Sequence, residues 1–164
     1  MEHLWSPWRL AYITGQASSE GCVFCNALTD PKAEPLIVHR GAACFVILNL
    51  FPYNNGHLMV IPNRHIASLE PATPDELNEL IALVRVAEIA LTEAYAPHGI
   101  NMGINLGKPA GAGILDHVHM HVVPRWNGDT NFMTVVGRTR VLAEELPDTA
   151  ARLRPLFARL APAH

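Results

Sequence analysis

The stretch Asp116 to Trp126, which reads D-H-V-H-M-H-V-V-P-R-W, alternates imidazole and apolar side chains. Alternation with a period of two is typical of a half-buried β-strand, so we expect His117, His119 and His121 to point to one face of a sheet. Residues on one face stand roughly 6 to 7 Å apart, which separates the outer two histidines by about 13 Å at the backbone. One metal ion, with ligand bonds of about 2 Å, can take two neighbouring rings but not all three without severe bending.

Three imidazoles on one face favour chemistry over structure. Each occupies a position where Val or Thr would have a higher strand propensity, so a purely structural role, or a site that stores several metal ions, explains the pattern less well. A row of imidazoles can flank an extended anion such as a chain of phosphates, with one ring attacking and another supplying a proton. The stretch therefore favours a site where histidine side chains act on a phosphate group as nucleophile and proton donor.

The whole chain has 164 residues and a formal net charge of −3. A chain of this length fits one domain, which buries roughly 70% of the surface that the unfolded chain exposes. Because the net charge provides no general basic field, we expect no extended nucleic acid as a partner. The first residues contain no basic segment followed by an apolar run, and no later stretch approaches about 18 apolar residues. We therefore expect a cytoplasmic protein without membrane contact.

Two of the three cysteines form the motif Cys22-Val23-Phe24-Cys25. An odd number of cysteines with this spacing favours metal binding in a reducing compartment over a disulfide framework. The motif alone could be half of a zinc site or a redox pair. The absence of a surrounding βαβ pattern counts against the redox pair.

Hydrophobic periodicity predicts an α+β fold with an antiparallel sheet of about five strands, a long helix and a C-terminal helix. The predicted strands are Leu36–His39, Cys44–Leu50, His57–Pro62, Ile100–Leu106 and the histidine stretch, with a further short strand at Phe132–Val136. A capping box at Thr73-Pro74-Asp75-Glu76 predicts the start of a helix of about 22 residues, and Glu144 to Leu160 has the pattern of a final amphipathic helix. We expect one domain over residues 1–164, divided into an N-terminal arm (1–21), a core (22–136) and a helical tail (137–164).

A glycine-rich loop, Gly107 to Gly113, leads directly into the histidine stretch. Its exposed backbone N–H groups and the single Lys108 could cradle phosphate. The loop matches neither the Walker pattern nor the dinucleotide-binding fingerprint, so it is a weak signal by itself.

The motif H-V-H-M-H-V-V at residues 117–123, together with His57, His65 and the C-x-x-C pair, resembles the signature of the histidine triad (HIT) superfamily, His-φ-His-φ-His-φ-φ, where φ is apolar. The resemblance extends over nearly the whole chain. Within the superfamily the chain looks most like the fragile-histidine-triad-like branch, which includes bacterial diadenosine tetraphosphate phosphorylases and hydrolases. The segments that carry this likeness are L-W-S-P-W-R, N-L-F-P-Y-N-N-G-H-L-M-V-I-P and V-P-R-W-N-G-D-T-N-F.

The resemblance implies a role for each matching position. His119 would attack the α-phosphorus of a nucleotide and form a covalent nucleotidyl-imidazole. His121 would contact the phosphates and help the leaving group depart, and His57 would lie on the α-phosphate side. Asn49 would bind the ribose, and Asn105 would touch the bridging or leaving oxygen.

The resemblance also implies a structural zinc site. By similarity to relatives with C-x-x-C, including galactose-1-phosphate uridylyltransferases, Cys22, Cys25, His65 and His117 would bind the metal. Zinc would then use the first triad histidine and leave the other two for chemistry. No organic cofactor is expected.

The glycine-rich loop and the residue after it depart from the family pattern. Many relatives place Gln and then Ser or Thr shortly before the first triad histidine, where this chain has Gly113 and Ile114. Gly113 and Ile114 could therefore bind phosphate only through their backbone N–H groups. The Gly111 N–H and the Lys108 side chain could contribute further contacts.

The resemblance implies an enzyme that cleaves dinucleoside polyphosphates, such as diadenosine tetraphosphate, with water or phosphate as the acceptor, and that forms a homodimer. One alternative is a nucleoside phosphoramidate hydrolase of the same superfamily. The other alternative is a nucleotide-binding, zinc-stabilised interaction module without turnover.

Overall fold

Five antiparallel strands form one sheet in the order β1-β2-β3-β5-β4. The computed structural model describes residues 21–129 and 143–162. The strands are β1 (Ile37–Arg40), β2 (Cys44–Leu48), β3 (Leu58–Pro62), β4 (Gly99–Ile104) and β5 (Met120–Arg125). The helices are α1 (Val23–Thr29), α2 (Pro74–Tyr95) and α3 (Leu146–Leu160), with short 3-10 helices at Pro31–Leu36 and Lys108–Ala110. The expected α+β class and five-stranded antiparallel sheet are confirmed.

The structure differs from the sequence prediction in two local features. Helix α1 was not predicted, because seven residues are too few to show a helical period. The histidine strand begins only at Met120, so the prediction of a regular strand from residue 117 is wrong. The expected strand Phe132–Val136, most of the N-terminal arm and the tail up to residue 142 lie outside the described residues. No described helix has the length and apolar character to cross a membrane.

Strand alternation divides the core into two layers, one on each face of the sheet. On the first face, residues such as Val60 and Val122 pack against α2 and α3. On the second face, Met59 and Ile61 pack against Phe24 of α1. Helix α1 therefore covers the part of the second face formed by β2 and β3, and the part formed by β4 and β5 carries the open cleft described below.

Helix α2 begins at the predicted capping box. The Thr73 hydroxyl accepts from the Glu76 N–H, and the Glu76 carboxylate accepts from the Thr73 N–H at 2.7 Å. The same carboxylate also accepts two hydrogen bonds from the Arg64 guanidinium, at 2.9 and 2.8 Å. Arg64 and the Thr73 N–H lower the pKa of Glu76 to about 2, because they bind its charged form.

We predict that Glu76→Gln lowers the free energy of unfolding by about 1 to 3 kcal/mol at pH 7. Because the pKa of Glu76 is lowered by folding, its contribution is present above the unfolded-state pKa of 4.5 and is lost as pH falls towards 2. The stability difference between variant and wild type should therefore shrink between pH 4.5 and pH 3 in urea titrations. The exposed Glu88 on the same helix offers a control, Glu88→Gln, which should have little effect at either pH. A difference that does not change with pH would contradict this role of Glu76.

Candidate active site and metal centre

Three of the predicted histidines meet at the amino-terminal end of β5. The His119 ring lies between Phe24, at a centroid distance of 4.9 Å, and His121, at 4.8 Å. His57 packs against His121, with ring centroids 5.1 Å apart. His57 is fully buried, His119 is 5% exposed, and His121 is half-buried. The structure therefore brings together the three histidines that the resemblance assigned to catalysis.

The first triad histidine does not share this position. The Val118 N–H donates to Ile66 O instead of to a neighbouring strand, so the chain before Met120 lies outside the regular sheet. His117 is consequently fully buried beside Cys22. The expectation of a regular strand through His117 is wrong, because the alternating pattern does not show this departure from the sheet. His117 and His119 nevertheless both pack against the Phe24 ring, so they lie on the side of the sheet that α1 covers.

Hydrogen bonding fixes the tautomer of His119. Its Nδ1 lies 2.9 Å from the carbonyl oxygen of His117, which only accepts, so Nδ1 carries the proton. The lone pair is therefore on Nε2, the atom that would attack phosphorus. Burial lowers the pKa of His119, although the hydrogen bond to His117 opposes this effect. The ring is thus neutral and nucleophilic near pH 7.

A second chain of hydrogen bonds fixes His57 and His121. The Tyr53 N–H donates to His57 Nδ1 at 3.0 Å, so the His57 proton is on Nε2. His57 Nε2 then donates to His121 Nδ1 at 2.9 Å. His121 consequently carries its own proton on Nε2, from which it can donate to a departing oxygen. This geometry makes His57 a positioning residue for His121, and its expected place beside the α-phosphate stays a prediction.

We predict that the His121 ring stays neutral down to about pH 4, because burial and then the charge of His119 lower its pKa to about 4. Histidine ring signals in an NMR titration, assigned with a His121→Gln variant, should show this midpoint. A histidine in the unfolded chain has a pKa near 6.5, so between pH 6.5 and pH 4 the unfolded state binds a proton that the folded state does not. His121 therefore has no effect on stability above pH 6.5 and destabilises the fold increasingly as pH falls towards 4. A His121 midpoint near 6.5 would contradict the buried, neutral ring.

The second predicted cluster contains two thiols and two imidazoles. Ligand atoms of Cys22, Cys25, His65 and His117 all lie within 4.8 Å of one another. Cys22 is the N-cap of α1 and Cys25 lies three residues further on, so both thiols project from the same side of the helix. His117 Nδ1 lies 3.3 Å from the Cys22 sulfur, and His65 Nδ1 lies 3.3 Å from the Cys25 sulfur.

The protonation of His117 fits metal binding. Its Nε2 donates to Pro62 O at 2.9 Å, which leaves the Nδ1 lone pair directed towards the thiols. Two sulfur and two nitrogen donors are a set that Zn²⁺ prefers in closed, four-coordinate sites. The four residues are therefore placed to bind one metal ion, as the resemblance implied.

The predicted nucleotide-binding residues are less closely grouped. Asn49 lies near His57, with its Nδ2 atom 3.4 Å from His57 Nδ1, and Asn105 lines the cleft beside His121. The other four residues belong to the loop between β4 and β5, namely Lys108, Gly111, Gly113 and Ile114. In the part of the chain that the structure describes, no hydrogen bond or ion pair joins the Lys108 side chain to the histidines. The phosphate contacts expected of these four residues stay predictions.

The sequence did not single out several residues of the site. Phe24 packs its ring against His119 and against His117, and Tyr53 packs against His57. The sequence features that could have identified them are the position of Phe24 inside the C-x-x-C motif and the position of Tyr53 in the turn before His57. Arg125 lines the cleft, and only its position near the end of the histidine stretch hinted at this.

A family model described as HIT domain matches residues 31–128. The AP-4-A phosphorylase of Mycobacterium tuberculosis is 38% identical over 97% of this chain and 86% of its own length. An asymmetrical bis(5'-nucleosyl)-tetraphosphatase of Schizosaccharomyces pombe is 33% identical over 57% of this chain and 50% of its own. A Zn-bound histidine triad family protein from Mycobacterium smegmatis superposes with a TM-score of 0.69, 29% identity and coverage of 87% and 97%. This chain therefore belongs to the HIT domain family.

Proposed function

We propose that this chain is an enzyme that cleaves dinucleoside polyphosphates, such as diadenosine tetraphosphate, at the α-phosphate through a covalent nucleotidyl-histidine intermediate. The observation that carries the proposal is the pair of complementary tautomers, with a lone pair on His119 Nε2 beside a proton on His121 Nε2. The names of two relatives, a phosphorylase and a tetraphosphatase, support the same class of substrate.

Two displacements at the α-phosphorus complete the reaction. In the first, His119 Nε2 forms a bond to phosphorus as the bond to the leaving phosphate oxygen breaks, and that oxygen receives a hydrogen bond from His121 Nε2. In the second, an oxygen of water or inorganic phosphate forms a new P–O bond as the P–N bond breaks, which restores the lone pair on His119, and the proton of the attacking oxygen passes to solvent. Asn49 would hold the ribose and Asn105 the bridging oxygen during both steps.

Backbone donors would stabilise charge on the phosphoryl oxygens. The N–H groups of Gly111, Gly113 and Ile114 belong to the loop that precedes the histidines, and Lys108 supplies the one positive charge of that loop. The product analysis below distinguishes water from phosphate as the acceptor in the second step.

The test is incubation with diadenosine tetraphosphate, with and without inorganic phosphate, followed by product analysis. ADP formed only when phosphate is present identifies a phosphorylase, and AMP with ATP formed without phosphate identifies a hydrolase. Either result supports the proposal. Rapid turnover of an adenosine phosphoramidate with no turnover of diadenosine tetraphosphate would overturn it in favour of a phosphoramidate hydrolase.

We propose that the metal of the Cys22, Cys25, His65 and His117 cluster is a structural zinc ion. The donor set supports this assignment, and so does the zinc bound by the histidine triad relative from Mycobacterium smegmatis. We also propose a cytoplasmic location, because a reducing compartment keeps such thiols available for metal.

We further propose a homodimer. Strand β4 pairs with β5 along one edge, and among the described residues no strand pairs with its other edge. An unpaired edge is a template for a second chain. Light scattering on the purified protein should give twice the chain mass, and a monomer at micromolar concentration would contradict the proposal.

A further inference from the structure

An open cleft of about 280 Å³ lies on the second face of the sheet, beside His121. The lining residues are Tyr53, Asn101, Met102, Gly103, Asn105, His121, Val123 and Arg125. This volume is just below the range of roughly 300 to 1,000 Å³ that is typical of sites for drug-sized ligands. The cleft therefore suits one nucleoside-sized group and not a whole dinucleotide.

The sheet order places this cleft on the leaving-group side of the histidines. Asn49, the expected ribose ligand, follows the end of β2, whereas the cleft lies on β5 and β4, with β3 between them. Gly103 of β4 is paired with His121 of β5, so both face the same side of the sheet. A substrate with its ribose at Asn49 and its α-phosphate at His119 would extend past His121 and over Gly103.

The charge in the cleft is locally compensated. Among the lining residues that the structure describes, only Arg125 carries a full charge at neutral pH, and it contacts both carboxylate oxygens of Asp129, at 2.7 and 2.8 Å. Its Nη1 atom donates to Asn101 Oδ1 at 2.7 Å. A guanidinium that is paired with a carboxylate attracts phosphate only weakly, so this end of the cleft does not favour a terminal phosphate.

Tyr53 offers an aromatic surface at the same place. The residue is 49% exposed, and its ring lies 4.8 Å from the His57 ring and 5.9 Å from the His121 ring. The Tyr53 N–H is held by His57 Nδ1, which fixes the residue next to the cleft. Nucleobases stack on exposed aromatic rings of this kind.

We propose that the cleft between Tyr53 and Gly103 binds the nucleoside at the far end of the leaving group, so that the enzyme prefers substrates with a nucleoside at both ends of the phosphate chain. This inference rests on the proposed function, because it assumes cleavage of a nucleotide through His119. It adds a specificity determinant that lies outside the histidine cluster.

The test compares diadenosine tetraphosphate with adenosine tetraphosphate, which lacks only the second nucleoside. The wild type should cleave the dinucleotide with the higher kcat/KM, and Gly103→Val should lower the ratio of the two kcat/KM values about tenfold. A side chain at Gly103 would meet no atom within 4 Å and would enter the cleft, and valine is suited to a strand. The matched control is Gly99→Val, on the same strand and equally open, but four residues away and outside the cleft lining. It should keep the wild-type ratio.

A second pair of variants tests the stacking surface without filling the cleft. Tyr53→Leu should lower the same ratio about tenfold, and Tyr53→Phe, which keeps the ring, should retain most of it. If the wild type cleaves the dinucleotide and all four variants keep its ratio, the subsite is refuted while the proposed function stands. If the wild type cleaves neither compound, the proposed function fails and this inference fails with it.

Discussion

The His119→Ala variant will cleave diadenosine tetraphosphate at least about 1,000-fold more slowly than the wild type, because the loss of a covalent nucleophile removes the first step of the reaction. His121 cannot replace it, since hydrogen bonding with His57 places a proton on His121 Nε2. Nucleotide binding should persist, because the expected ribose and phosphate contacts come from other residues. Steady-state kinetics and calorimetric titration with a nucleotide measure the two effects separately.

A matched control is His98→Ala, which removes an exposed histidine at the far end of the sheet and should keep turnover close to the wild-type value. Near wild-type turnover by His119→Ala would contradict the proposed nucleophile. If the wild type turns over no nucleotide while it and His119→Ala bind nucleotide equally, the chain is a binding module and not an enzyme.

The Cys25→Ser variant will lose its metal ion, and its free energy of unfolding will fall by about 3 to 5 kcal/mol. The metal would join α1 to the segment that contains His117, and without it Cys22, His65 and the buried His117 are no longer held together by a shared ion. Metal analysis by mass spectrometry and urea unfolding measure the two effects. Cys44→Ala is the matched control, because Cys44 lies in the other core layer and should leave the metal content unchanged.

Chelation distinguishes a structural metal from a catalytic one. We expect activity to be lost only in step with unfolding, since His119 Nδ1 donates to the backbone carbonyl of His117 and depends on the position of that segment. Loss of activity in a chelated protein that remains fully folded would contradict the structural role. Retention of the metal by Cys25→Ser would contradict the proposed ligand set.

Local patterns in the sequence were sufficient for most of the fold. The capping box at Thr73 gave the start of α2, and short apolar runs bounded by turn residues gave four strands to within two residues at each end. The start of the histidine strand was misplaced, because the hydrogen bond from the Val118 N–H to Ile66 O joins segments that are distant in sequence. The hydrophobic pattern of a segment shows its period, but it does not show a hydrogen bond to a distant residue that takes part of the segment out of the sheet.

The two clusters were predictable to different degrees. The metal cluster followed from motif and resemblance, and the structure brings its four ligands together. The cleft could not be predicted, because Tyr53, Asn101 and Arg125 become neighbours only through the placement of β5 between β3 and β4. The compensation of Arg125 by Asp129 is likewise visible only in three dimensions, although the two residues are four apart in the sequence.

The most direct test of the mechanism is to quench the enzyme during turnover of diadenosine tetraphosphate and to map modified peptides by mass spectrometry. The proposed mechanism predicts one adenylyl group on the peptide that contains residues 117–123, attached at His119 and absent from His119→Ala. An adenylyl group on another residue, or complete turnover with no labelled peptide at any time point, would contradict it.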